Sequence, residues 1–131
     1  MLSVLVLTAG CKREAVTVTG SVSGTGGNEY LVLREIKPGI LKPIDSVIPD
    51  SKGNFSFRTE TPRPSFYMIS VGPDNFMTLL LSPGEKVTVR AVRDSLSIPR
   101  YLAGSPGTEV ILGFRKEQDK LVRELERLTK V

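Results

Sequence analysis

Few side chains in this 131-residue chain are equipped for chemistry. Histidine and tryptophan are absent, and Cys11 is the only cysteine. A His-based triad, a Cys-x-x-Cys pair and an internal disulfide are therefore excluded for this chain alone. Cys11 also lacks a resolving cysteine for thiol exchange. Asp45 stands beside Ser46 and Asp94 beside Ser95, but Asp and Ser in strand and turn contexts ordinarily make local hydrogen bonds. A nucleophilic serine needs a base. Only Lys42 or Lys86 is available for that role, and the spacing brings neither to a serine. Asp50-Ser51-Lys52-Gly53-Asn54 has some of the spacing of a calcium loop, yet Lys52 stands where an oxygen ligand is needed, so it reads as a turn. The expectation is no catalytic residue, no cofactor-binding residue, no metal site and no intrinsic enzymatic activity.

Composition narrows the partners. Forty per cent apolar and 24% charged residues suit one globular domain with a real core. The formal charge of +4 is scattered, with Lys12-Arg13 as its longest basic run, so nucleic acid is not expected as a partner. The uncharged run Leu2 to Thr8 is too short to span a bilayer, which takes ~20 apolar residues. It has the length of a secretory h-region ahead of a small-residue cleavage site. Leu7-Thr8-Ala9-Gly10-Cys11 resembles the lipobox of bacterial lipoproteins. That resemblance implies that residues 1–10 are the remnant of a signal peptide and that Cys11 is lipidated. Residues 11–14 would then form a tether to an envelope membrane, through an acyl anchor on the periplasmic side or outer membrane. No Lys or Arg precedes the apolar run, which suggests an earlier start site. The competing reading is a buried first strand with an inert thiol.

The elements that would position any site are mostly strands. Met77-Thr78-Leu79-Leu80-Leu81 is apolar almost without a break, as a strand covered on both faces is. Ser82-Pro83-Gly84-Glu85 is a turn signal, and Lys86 to Arg90 alternates, so the pair reads as a hairpin. Val16, Val18 and Val22 share one face of an earlier strand. Ser23 to Asn28 reads as a flexible hairpin loop before Tyr30-Leu31-Val32-Leu33. Pro43 cannot donate to a ladder, so its strand is expected at an edge or to start after it. Thr61-Pro62-Arg63-Pro64 is a stiff link suited to carry the chain between sheets. A proline-interrupted edge strand is expected over Leu96 to Leu102. The spacing predicts a mainly β fold over residues 15–104, an antiparallel sandwich or open barrel of seven to eight strands. Val16, Val18, Leu31, Leu33, Phe55, Phe57, Tyr67, Ile69, Leu79, Leu81, Val87 and Val89 should face inward.

One α-helix is predicted over residues 105–131, with Ser105 as N-cap and Pro106 at its first position. Ile111, Phe114, Gln118, Leu121, Leu125 and Leu128 recur at alternating spacings of three and four, an a/d seam with one polar step. Either this helix lies on a sheet, or it is an arm whose face at Gln118, Leu121, Leu125 and Leu128 meets something outside the domain. The pattern is still running at Val131 without a C-cap, so a downstream segment is expected.

Lys42-Pro43-Ile44-Asp45-Ser46-Val47, Gly53-Asn54-Phe55-Ser56-Phe57, Leu79 to Val89 and Gly104-Ser105-Pro106-Gly107-Thr108-Glu109 are together similar to a known family. It is a β-rich domain of unknown function (DUF4369-like), and the similarity covers about residues 15 to 115. The resemblance implies a place after the lipobox of Gram-negative envelope lipoproteins and before a thioredoxin-like domain. It also implies a non-enzymatic module that positions or accompanies a thioredoxin-like thiol–disulfide oxidoreductase, in cis or in trans. The alternative is a lipoprotein whose sandwich surface binds a glycan or peptide, with Tyr30 and Tyr101 as the exposed rings.

Overall fold

Two four-stranded sheets face each other across an apolar core in the computed structural model, which describes residues 15–129. The strands are β1 (Ala15–Ser23), β2 (Leu31–Lys37), β3 (Ile40–Val47), β4 (Asn54–Glu60), β5 (Ser65–Val71), β6 (Asn75–Leu81), β7 (Lys86–Val92) and β8 (Tyr101–Ala103). One helix, α1 (Pro106–Thr129), follows them. The first sheet has the order β4-β1-β7-β8 and the second β3-β2-β5-β6. The sheets form an open sandwich and not a closed barrel. Pairing is antiparallel except between β1 and β7, which run parallel from Thr17 opposite Lys86 to Ser23 opposite Val92.

Period-two alternation sets what each strand buries. All twelve residues expected to face inward are buried, joined by Val22, Val71, Met77, Ala91 and Leu96. Phe55 and Phe57 lie on one face of β4, their ring centroids 5.8 Å apart and tilted, a favoured aromatic geometry. β3 runs through Pro43 and is an edge strand, the first of the two arrangements open to it, and a register shift opposite Leu33/Arg34 lets the chain pass the proline. Thr61 to Pro64 does carry the chain from the first sheet to the second.

Two expected hairpins are instead crossings between sheets. β1 and β2 lie in different sheets, so Ser23 to Asn28 bridges the sandwich. β6 and β7 likewise lie in opposite sheets, and Ser82-Pro83-Gly84-Glu85 arches between them. The turn chemistry itself is as expected: Gly84 takes φ +80° and the Glu85 N–H donates to the Ser82 carbonyl. What the turn does not fix is the partner of the outgoing strand. The Thr17 N–H donates to the Glu85 carbonyl at 3.1 Å, drawing β7 onto β1. Leu79 and Leu81 then share one core with Val87 and Val89 from opposite sheets instead of lying beside them in one sheet. The last strand is shorter than expected. Leu96 is fully buried after a single 3-10 turn at Arg93–Ser95, and only Tyr101–Ala103 pair with β7.

The helix begins on the free edge of β6. Ser105 occupies the N-cap position, its carbonyl accepting from the Glu109 N–H. Its hydroxyl, however, does not cap the helix. It bonds to the Leu80 carbonyl at 2.9 Å and to the Thr108 hydroxyl at 2.7 Å, while the Leu80 N–H donates to Thr108 Oγ1 at 2.9 Å. Two buried hydroxyls thus satisfy both backbone groups of Leu80 on an edge that lacks a neighbouring strand. Gly107 makes the approach possible, since a Cβ there would stand 2.9 Å from the Leu80 side chain.

Candidate functional site

After this clamp the helix leaves the sandwich. Its 24 residues span about 36 Å at ~1.5 Å per residue, and its main contacts with the body are to β6 and β8. Thr108 is buried and Ile111, Leu112, Arg115 and Asp119 are half-buried, marking the side of the helix that faces the body. Phe114, Gln118, Leu121, Leu125 and Leu128 are exposed, Leu121 by 61% and Leu125 by 54%. At about 100° per residue, these exposed seam residues lie roughly 120° around the helix from the body-facing side. The four residues expected to form a contact face thus share one exposed stripe. Cys11, the tether 11–14 and the signal remnant 1–10 lie outside the described residues.

A second surface went unnoticed in the sequence. On the outer face of the second sheet, register places Val32 by Ser70 and Phe76, Arg34 by Met68 and Thr78, and Ile36 by Phe66 and Leu80. The corresponding face of the first sheet carries Thr17, Thr19, Ser21, Arg58, Thr88 and Arg90. One outer face is largely apolar and the other polar. The signal was present in β5, where Phe66-Tyr67-Met68-Ile69 is apolar on both sides, the pattern of a strand with two faces to cover. An open cleft of about 760 Å³ lies on this face, lined by Tyr30, Val32, Arg34, Met68 and Phe76 among others. Arg34 Nη1 donates to Ser70 Oγ at 2.9 Å. At the rim, Arg93 grips Glu29 with bonds of 2.6 to 3.1 Å from Nε and Nη2. This charge-assisted fork holds the Glu29 carboxyl below its ordinary pKa, aided by the Gly26 N–H, and raises that of Arg93.

The remaining sequence candidates do not assemble. Tyr30 and Tyr101 are both exposed but lie apart in the fold, Tyr30 in the loop ahead of β2 of the second sheet and Tyr101 at the start of β8 in the first, and Arg90 stacks over the Tyr101 ring at 4.6 Å. Asp45 Oδ1 accepts from the adjacent Ser46 N–H at 2.8 Å, and Asp94 Oδ1 from Arg93, the local bonds expected of them. Asp50 accepts from the N–H groups of Asn54 and Lys52, which hold its carboxyl below its ordinary pKa and close the turn. Among the described residues no group of three or more Asp, Glu or Cys is placed to hold a metal ion. No described helix is long and apolar enough to cross a membrane.

Residues 16–111 match the model of a family described as a domain of unknown function (DUF4369). Neither the curated proteins nor the solved structures contain a match to this chain.

Proposed function

The chain belongs to this family of domains of unknown function, and from that premise we propose that it is a non-enzymatic module of the cell envelope. In this reading Cys11 is acylated and tethers the domain to a membrane. The helical arm then holds a thioredoxin-like thiol–disulfide oxidoreductase, in cis or in trans, at a set distance from the sandwich. The observation that carries this reading is the arm itself, anchored by its first turns and exposed along its apolar seam. A helix serving only to cover its own sheet would bury that seam. Several acyl chains on one residue give stable anchoring where one gives only marginal binding.

A photo-crosslinking amino acid in place of Glu126, on the distal half of the arm and off the seam, tests the reading in native envelopes. The expected product is an adduct with a thioredoxin-like domain. Adducts with unrelated proteins alone would overturn it. Metabolic lipid labelling of the wild type against Cys11→Ala tests the tether, and equal label on both would remove it.

The cleft around Arg34 favours a second reading, a surface that binds a peptide or glycan. Its support is a cation set in an apolar face with an exposed ring, Tyr30, at its rim. Loss of a peptide's binding in Arg34→Ala, with the sandwich intact, would favour that reading over the first.

A further inference from the structure

We infer that the exposed seam of α1 is occupied by the same seam of a second copy of this chain, in a parallel, in-register coiled-coil pair. The inference does not depend on the thioredoxin reading, because it concerns only what covers the arm.

Three observations lead to it. First, the seam is an a/d pattern with one polar step, Ile111, Gln118 and Leu125 at a and Phe114, Leu121 and Leu128 at d, the spacing that suits a helical partner and not a flat sheet. Second, Ile111 is half-buried at the body but from Phe114 onward the seam is exposed and points away from the sandwich, so the body leaves room for another helix beside the arm. Third, the area is sufficient. Phe114, Leu121, Val122, Leu125 and Leu128 each present on the order of 100 Å², so two copies bury about 1,000 Å², the threshold for a specific interface.

The polar positions choose the orientation. In a parallel pair Gln118 meets Gln118 of the second copy, and two amides facing each other can exchange hydrogen bonds. The flanking g-to-e neighbours are then Glu117 with Val122 and Glu124 with Thr129, with no like charges opposed. In the antiparallel pair that aligns the seams, Gln118 faces Leu121 and its amide goes unpaired. Glu117 also meets Glu124 on the same flank, a repulsive contact. Both terms favour the parallel pair. That pair sets the two sandwiches side by side at one end of the arms and brings both distal ends together at the other.

The test uses the full chain in a Cys11→Ser background. Gln118→Cys under mild oxidation should give disulfide-linked dimers as the main product. Mixing Phe114→Cys with Leu125→Cys should give linked homodimers only. Heterodimers in that mixture would overturn the parallel assignment. Sedimentation of the wild type should show a concentration-dependent dimer. In Leu121→Glu/Leu125→Glu its association should weaken roughly a hundredfold or more, because each layer would bury an uncompensated charge. Circular dichroism of that variant should keep its strand signal, which separates lost pairing from lost fold. A wild type that stays monomeric at every concentration, or a variant that pairs as well as the wild type, would overturn the proposal.

Discussion

Leu79 and Leu81 are fully buried, whereas Leu121 and Leu125 are more than half exposed, although all four are leucines in regular, apolar-patterned elements. The difference lies in who supplies the opposing surface. β6 is covered by the opposite sheet of its own chain, with Val87 and Val89 in the same core, because the Ser82–Glu85 turn folds the chain back over itself. The second half of α1 meets no such surface, because the clamp at Ser105 and Thr108 fixes only the start of the helix. Apolar pattern alone therefore reports that a face wants covering, not which chain covers it.

The contrast predicts unequal effects from equivalent substitutions. The largest should come from the core: Leu79→Ala or Phe57→Ala should lower unfolding free energy by ~2–5 kcal/mol in denaturant melts. A loss under ~1 kcal/mol in either would mean the core is looser than its burial implies. Next comes the clamp. Thr108→Val keeps the shape but leaves the Leu80 N–H without its acceptor, while the Ser105 hydroxyl keeps the Leu80 carbonyl, at a cost of about 1–3 kcal/mol. It should also raise amide exchange at Leu80 and along the first helical turn, which a purely packing role for Thr108 would not do.

A smaller effect should appear on acidification. Glu29 and Asp50 both have folded pKa values depressed by hydrogen bonds, so the folded state favours their ionised forms. Their contribution is present above the ordinary carboxylate range and is lost as pH falls through the folded values. Thermal midpoints should therefore drop as pH falls below the ordinary Glu value of 4.5, and Arg93→Met should make that drop shallower. An unchanged slope in Arg93→Met would show that the Glu29 fork is too exposed to matter.

The smallest effect on the sandwich should come from the arm. Leu121→Ala/Leu125→Ala should leave sandwich stability within about 0.5 kcal/mol of the wild type, the range for surface sites. The tyrosine near-UV signal serves as the probe, because Tyr30, Tyr67 and Tyr101 all belong to the sandwich. A larger loss would mean that the seam packs on its own domain.

Much of this contrast was legible in the sequence. Strict alternation in β1, β4 and β7 marked the inward residues, and the three-four spacing from Ile111 to Leu128 marked the seam. Pairing was harder to read. The Pro83-Gly84 turn dictates φ at one glycine but is indifferent to whether the next strand hydrogen-bonds to β6 or crosses to β1. The parallel β1–β7 pair depends on contacts between residues some seventy positions apart, which no local pattern encodes. Ser105 was legible as a helix start, but its hydroxyl answers to Leu80, a partner 25 residues earlier in the chain. The Arg34 cleft was missed for a related reason. The doubly apolar run of β5 reports that an outer face wants covering, but the cleft itself is assembled from β2, β3, β5, β6 and the loops beside them, which no single strand shows.

The claim that the sandwich is complete in itself while the arm is completed from outside can be tested by amide hydrogen exchange, comparing wild type with Leu121→Glu/Leu125→Glu. The account predicts that protection from Phe114 to Leu128 falls sharply in the variant while β1, β2, β5, β6 and β7 exchange at the wild-type rate. Arm protection unchanged by the two glutamates, or strand protection that falls with it, would contradict the account.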